Sequence, residues 1–221
     1  MCGRFDTSHL TWADIHRQLS TLLPVTSAPL NVQPSADVRP TTPQAVARVE
    51  DGGWIVENMR WSLVPHYWNG KPLKDTEKGK GDGFKLTTFN CKTEPFTDPD
   101  GKPSVTWAGP FKSRRCIVPA SAWFEWTGDK DSKAKHRFAR ADGQPIWFAG
   151  LWSPCRTLDE GEIKSFAIFT GPSGGWLSDY HDRAPVILEP DEWSTWLDSP
   201  QGTVELMKSV RPERFEVDVA A

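Results

Sequence analysis

Nineteen prolines and seventeen glycines punctuate the 221 residues of this chain. Proline breaks helix interiors and central strands, and glycine opens turns, so the pattern predicts many turns and long connections rather than a helical bundle. The apolar runs between those breaks are short. Ala45–Val49 and Trp54–Trp61 flank Glu50-Asp51-Gly52-Gly53, which reads as a hairpin. Cys116–Pro119, Ala122–Trp126 and Ile163–Thr170 are β-prone, and Phe215–Val219 reads as a last strand. Arg137–Arg140 and Ile146–Trp152 flank Ala141-Asp142-Gly143-Gln144 and predict a second hairpin.

Helical signals are fewer. Thr11 with Asp14 three residues later reads as a helix start, and Trp12, Ile15, Leu19, Leu22 and Leu23 recur at helical spacing until Pro24. Glu192–Leu197 and Val204–Val210 predict two more short helices. Lys71–Gly83 is charged, glycine-rich and poor in apolar residues, which predicts a flexible surface loop; Thr97–Ser104 is a second turn-rich connection. Strands outnumber helices and short turns join them. The expected fold class is therefore α+β, a single β-rich domain with a mostly antiparallel sheet or barrel-like core and short flanking helices.

Bulk properties narrow the function. With twelve tryptophans the chain can bury a real core, and one domain is the simplest count. No apolar run approaches a membrane span, and the N-terminus lacks the basic-then-apolar order of a secretory signal, so a cytoplasmic location is expected. Cys2, Cys91, Cys116 and Cys155 form no C-x-x-C pair, which argues against zinc and disulfide frameworks; neither metal nor cofactor is expected. A formal net charge of −3 argues against coating nucleic acid by charge alone, while leaving room for a local basic cleft. No phosphate-binding, dinucleotide, zinc-peptidase or serine-hydrolase motif occurs.

The chemistry starts at Met1-Cys2-Gly3-Arg4-Phe5. Initiator methionine is commonly trimmed before a small residue, and trimming here leaves one residue with both an α-amine and a thiol. Those groups titrate at roughly 7.7–8.0 and roughly 8.5, so both are partly nucleophilic near neutrality. Such a pair captures an aldehyde first as an imine and then as a five-membered thiazolidine. Glu125 sits among Trp123, Phe124 and Trp126, where burial would raise its pKa for acid–base work; strand alternation would equally point it to solvent. Asn90 reads as an ordinary helix cap. His181, before Val186-Ile187-Leu188, is the histidine best placed to move protons, whereas His9, His16 and His136 read as surface residues. Tyr67 and Trp68 place two aromatics at a loop, as a base-stacking platform or as core. Arg4, Lys92, Arg114, Arg115 and Arg183 are candidate phosphate contacts or plain surface charges.

The ordered set M-C-G-R-F, N-V-x-P at Asn31–Pro34, R-W-S-L-V-P at Arg60–Pro65, N-x-K-x-E at Asn90–Glu94, W-F-E-W at Trp123–Trp126 and H-D-R-x-P at His181–Pro185 resembles the SRAP family. These SOS-response-associated peptidase-like proteins shield abasic sites in single-stranded DNA. The resemblance spans nearly the whole chain and implies one SRAP-like domain over residues 1–221. It implies Cys2 as covalent nucleophile, with Asn90, Glu125 and His181 completing the catalytic set. It further implies that Arg4, Lys92, Tyr67, Trp68, Arg183 and Thr170 contact the DNA. Lys92 stands where the family usually has Arg, and Lys lacks the bidentate fork for phosphate.

The expected partner is thus single-stranded DNA carrying abasic sites, bound by a monomer, with no metal and no membrane. The expected reaction is thiazolidine capture by Cys2, with an AP lyase side activity if the imine eliminates before the ring closes. Two alternatives stay open: a cysteine peptidase built on Cys2, His181 and Asn90, and a non-catalytic single-strand-binding module.

Overall fold

The computed structural model describes residues 2–76, 87–129, 132–198, 200–208 and 211–220. In chain order its first half contains β1 (Phe5–Asp6), α1 (Trp12–Leu19), β2 (Pro43–Glu50), β3 (Gly53–Trp61), β4 (Asn90–Lys92), α2 (Glu94–Thr97) and α3 (Val105–Ser113). The second half adds β5 (Arg115–Ala120), β6 (Ala122–Thr127), β7 (Ala134–Arg140), β8 (Ile146–Thr157), β9 (Gly161–Pro172) and β10 (Arg183–Pro185). Helices α4 (Trp193–Asp198) and α5 (Pro200–Lys208) and strand β11 (Phe215–Val219) close the chain.

Strands β9, β3, β2, β5 and β8 pair in that order, and β8 pairs back onto β9, which closes a five-stranded barrel. Strands β1, β6, β7 and β11 form a separate antiparallel sheet. Among these strands all pairings are antiparallel except those of β3 and β4 with β9. The fold is α+β, β-rich and barrel-like with short helices, as expected.

Alternation along the barrel strands explains their almost continuous apolar runs, because both faces are buried. Ile117, Trp147, Ala149, Ala167 and Phe169 point outward into a core shared with α1, α4 and Trp54. Cys116, Val118, Phe148, Phe166 and Ile168 point inward, toward Phe5, Trp123 and Phe138 of the separate sheet. Two buried indoles find acceptors: Trp54 donates to the Leu19 carbonyl at 3.0 Å and Trp196 to that of Cys116 at 2.9 Å.

Strand β9 connects barrel and site. Its first half pairs with β8, and with β3 at Ser165 and Phe166. Its last residues exchange those partners for β4, which pairs from Ile168 to Thr170, and β10, which pairs from Thr170 to Pro172. Thr170 therefore lies on one rung with Lys92 on one side and Pro185 on the other.

Several expectations change. The capping box of Thr11 and Asp14 forms, but α1 stops at Leu19, leaving Leu22 exposed. The second hairpin does not exist. Strand β7 is already flanked by β6 and β11, so the turn at 141–144 passes the chain into the barrel, and β8 makes its hairpin with β9. Helices α2 and α3 fill the stretch after Asn90; Asn90 itself opens β4, and Thr93 caps the helix that follows. The loop expected at 71–83 lies outside the described residues from 77 onward. Among the described residues no helix is long and apolar enough to cross a membrane.

Candidate active site

Cys2 enters the molecule alongside β6. The Phe124 N–H donates to the Arg4 carbonyl at 3.0 Å, and Phe5 registers opposite Trp123, which draws the N-terminal segment across Glu125. Cys2 is fully buried, in a core cluster that also holds Phe5, Trp61, Phe166, Ile168 and Ala184, with Phe89 packed against the cluster. Its carbonyl accepts a 2.7 Å hydrogen bond from Asn90 Nδ2. Asn90 is held at that point by parallel pairing with Ile168, and the adjacent Cys91 faces the opposite core.

Glu125 is 4 % exposed, so it belongs to the inward aromatic face and not to solvent. Burial pushes its carboxyl up to about 7. Burial likewise pushes the Cys2 thiol well above its usual range, and the neighbouring Glu125 carboxylate opposes the thiolate further. A pre-formed thiolate is therefore disfavoured, while a carboxyl titrating near neutrality beside Cys2 can both give and take a proton.

His181 follows the 3-10 turn Gly175–Asp179 and precedes β10. Its Nδ1 lies 2.6 Å from an Asp182 carboxylate oxygen and accepts from the Arg183 backbone N–H at 3.0 Å. Which of the two it serves depends on the nitrogen that carries the proton. Burial lowers its pKa, which keeps the ring neutral at pH 7. Asp182 also raises Glu125 electrostatically, and His136, the register partner of Glu125, meets Tyr180 at 4.8 Å, which brings the turn after Tyr180 to the Glu125 side of the site. The structure thus gathers Cys2, Asn90, Glu125 and the His181 turn.

The expected DNA contacts divide into three groups. Lys92 is exposed, Thr170 is buried and Arg183 is mostly buried, all at the β4–β9–β10 junction. Arg183 grips Glu94 with both terminal nitrogens, and its Nη2 also donates to the Thr170 carbonyl. That pair holds the Glu94 carboxyl down at about 2 and leaves Arg183 little freedom to reach a phosphate. Arg4 lies 5.3 Å over the Trp126 ring and bonds both oxygens of Asp37, at 3.1 and 3.2 Å. Tyr67 is exposed, with its hydroxyl 3.0 Å from that of Thr106. Trp68 packs with Val64, Leu73, Cys155 and Ile163 beneath Lys71. From Ile163 to Ile168, the register partner of Asn90, is roughly 17 Å along β9, so Trp68 packs away from the Asn90 end of the strand.

Arg115 is no phosphate contact. It is buried and donates to the carbonyls of Phe111, at 2.5 Å, Trp196 and Leu197, tying α3 to the end of α4. Asp37, Glu94 and Asp182 escape a reading of the sequence alone. The signals for the last two are their places inside matched motifs, Glu94 closing N-x-K-x-E and Asp182 following His181 in H-D-R-x-P. Asp37 carries none. Among the described residues no cluster of His, Cys, Asp and Glu is arranged to hold a metal ion.

Comparisons with known proteins place the chain among relatives. Abasic site processing protein YoaM of Bacillus subtilis is 28% identical over 95% of this chain and 85% of its own length. Abasic site processing protein YedK of Escherichia coli is 28% identical over 89% of this chain and 79% of its own. The chain spans about half the length, 46%, of abasic site processing protein YMR114C of Saccharomyces cerevisiae, at 29% identity. A crystal structure from Bordetella bronchiseptica superposes with a TM-score of 0.76 over the full length of both chains, at 21% identity, which shows the shared fold. One from Bacteroides thetaiotaomicron gives 0.77, also at 21% identity, over all of this chain and 92% of that one. The family model for SOS response associated peptidase (SRAP) matches residues 1–219, and the chain belongs to that family.

Proposed function

We propose that this protein captures abasic sites in single-stranded DNA as a thiazolidine on Cys2 once Met1 is removed. The observation that carries the reading is the placement of Cys2, its carbonyl held by Asn90 at 2.7 Å, beside a buried carboxyl that titrates at about 7. The names of the relatives, all abasic site processing proteins, point to the same substrate.

The Cys2 amine adds to the aldehyde carbon of the ring-opened sugar, and loss of water gives the imine. The neutral thiol then adds to the imine carbon, its proton passing to the imine nitrogen, and the ring closes. Glu125 carries protons in both steps; His181, neutral at pH 7, assists sugar ring opening. Arg4 and Lys92 meet the phosphates and Tyr67 stacks a base, so strand binding needs no sequence preference. Elimination from the imine before ring closure makes the same site an AP lyase. The protein acts as a single domain, as a monomer and inside the cell, where DNA is.

The cysteine peptidase alternative needs a thiolate at Cys2, which burial and Glu125 both oppose. The test mixes the protein with single-stranded DNA carrying one abasic site and looks for a denaturation-resistant adduct. Cys2→Ala forms none; Cys2→Ser keeps the amine, cannot close the thiazolidine and gives a shorter-lived link. Peptide cleavage without adduct overturns the proposal.

A further inference from the structure

Strand β6 presents Trp123, Glu125 and Thr127 on one face, opposite Phe138, His136 and Ala134 of β7 in antiparallel register. Trp123 and Phe138 stack at 4.9 Å, confirming the shared face. His136 is therefore the cross-strand partner of Glu125, half-buried where the sequence suggested a surface residue. Its Nε2 lies 2.7 Å from the Thr127 hydroxyl, which fixes the plane of the ring.

That ring meets Tyr180 edge-on at 4.8 Å. Tyr180 is also edge-on to Phe138 at 5.2 Å and to Trp176 at 6.0 Å, so aromatic rings enclose it on several sides. The next residue is His181. Its other side is tied down through Arg183, held by Glu94. The 180–183 turn thus bridges two bodies, the separate sheet that carries Glu125 and the β4–β9–β10 junction that carries Asn90.

We infer that His136 and Tyr180 form an aromatic clamp that sets His181 against Glu125, with His136 as a positioning residue for the reaction proposed above. The inference rests on that reading only for its effect on rate. The clamp itself is a property of the free protein. His136 touches no reacting atom; it acts through Tyr180, by the packing of one ring against the other.

The experiment has two readouts. The imidazole resonances of His181 are recorded by NMR in the DNA-free protein for the wild type, His136→Ala, His136→Phe and Tyr180→Ala. The clamp predicts that His136→Ala and Tyr180→Ala shift and broaden the His181 signals, whereas His136→Phe, which keeps the ring edge, leaves them near the wild-type positions. Single-turnover capture of an abasic-site oligonucleotide is then measured against DNA concentration. The maximal rate should fall by about tenfold in His136→Ala with half-saturation unchanged, and recover most of that loss in His136→Phe. The double variant His136→Ala/Tyr180→Ala should lose little beyond either single one.

Unchanged His181 resonances in His136→Ala overturn the clamp, whatever the reaction does. So does a His136→Phe variant as impaired as His136→Ala, or a loss confined to half-saturation, which would make His136 a DNA contact. Failure of the wild type to form any adduct overturns the capture reading instead, and the NMR spectra still decide the clamp.

Discussion

Asn90 Nδ2 donates a 2.7 Å hydrogen bond to the carbonyl of Cys2, 88 residues away in sequence. This bond fixes the first peptide group after Cys2, and so fixes where its amine and thiol can point. Asn90→Ala leaves a buried carbonyl without its donor, a loss of about 1–3 kcal/mol. The capture rate should fall by about tenfold to a hundredfold, with single-strand affinity, read by fluorescence anisotropy, close to wild type. Equal losses in both would place Asn90 in DNA binding.

Glu125 gives a pH-dependent signature. Its carboxyl titrates near 4.5 in an unfolded chain and at about 7 when buried. The folded protein thus holds an extra proton between those values, and stability falls as pH rises through that window. Full ionisation costs on the order of 3 kcal/mol. Glu125→Gln should therefore melt higher than wild type at pH 8 and about equally at pH 4.5, while capturing abasic sites far more slowly. Parallel melting curves at every pH would contradict a buried carboxyl at this position.

Asp37 holds the same Arg4 guanidinium that the proposed reading directs to a phosphate. The same carboxylate holds Arg4 at 3.1 Å and Arg39 at 2.6 Å, beside Trp126 of β6. Asp37→Asn frees both guanidiniums, which should tighten single-strand binding by about threefold to tenfold at low salt and steepen its salt dependence. Anisotropy titrations at two salt concentrations decide this; weaker binding would mean that Asp37 orients Arg4 for the phosphate.

Local chemistry was legible in the sequence, and pairing between distant segments was not. Thr11 and Asp14 lie within one helical turn, so their capping box could be read directly. The turn at 141–144 had sound hairpin chemistry, yet turn residues cannot show that both edges of β7 are already taken. Glu125 was ambiguous because alternation could have turned it to solvent; in the structure Trp123, Phe124 and Glu125 are all buried, so neither face of β6 reaches solvent there. Asn90 read as a cap because its partners, Ile168 and Cys2, are far away in the chain. The motif set put forward Cys2, Asn90, Glu125 and His181 as site candidates, and the exchange of partners along β9 sets β4, which carries Asn90, and β10, which carries Arg183, on its two sides.

Ser62 is strained. Its φ of 112° lies where side chains are disfavoured, at the point where the chain leaves β3 and its N–H donates to the Phe166 carbonyl at 2.9 Å. Ser62→Gly should raise stability by about 1 kcal/mol, seen as a higher urea midpoint at unchanged slope. A lower midpoint would show that the Ser62 hydroxyl, 3.3 Å from that of Thr88, outweighs the strain.

The mechanism stands or falls on the identity of the bond at Cys2. Wild-type protein is reacted with single-stranded DNA containing one abasic site, digested with protease and nuclease, and mapped by mass spectrometry. Thiazolidine capture predicts a modified N-terminal peptide that begins at Cys2, without Met1, and carries the sugar remnant with loss of one water. The same peptide from Cys2→Ala should be unmodified. An adduct on a lysine, or capture by a chain that retains Met1, would contradict a thiazolidine at Cys2.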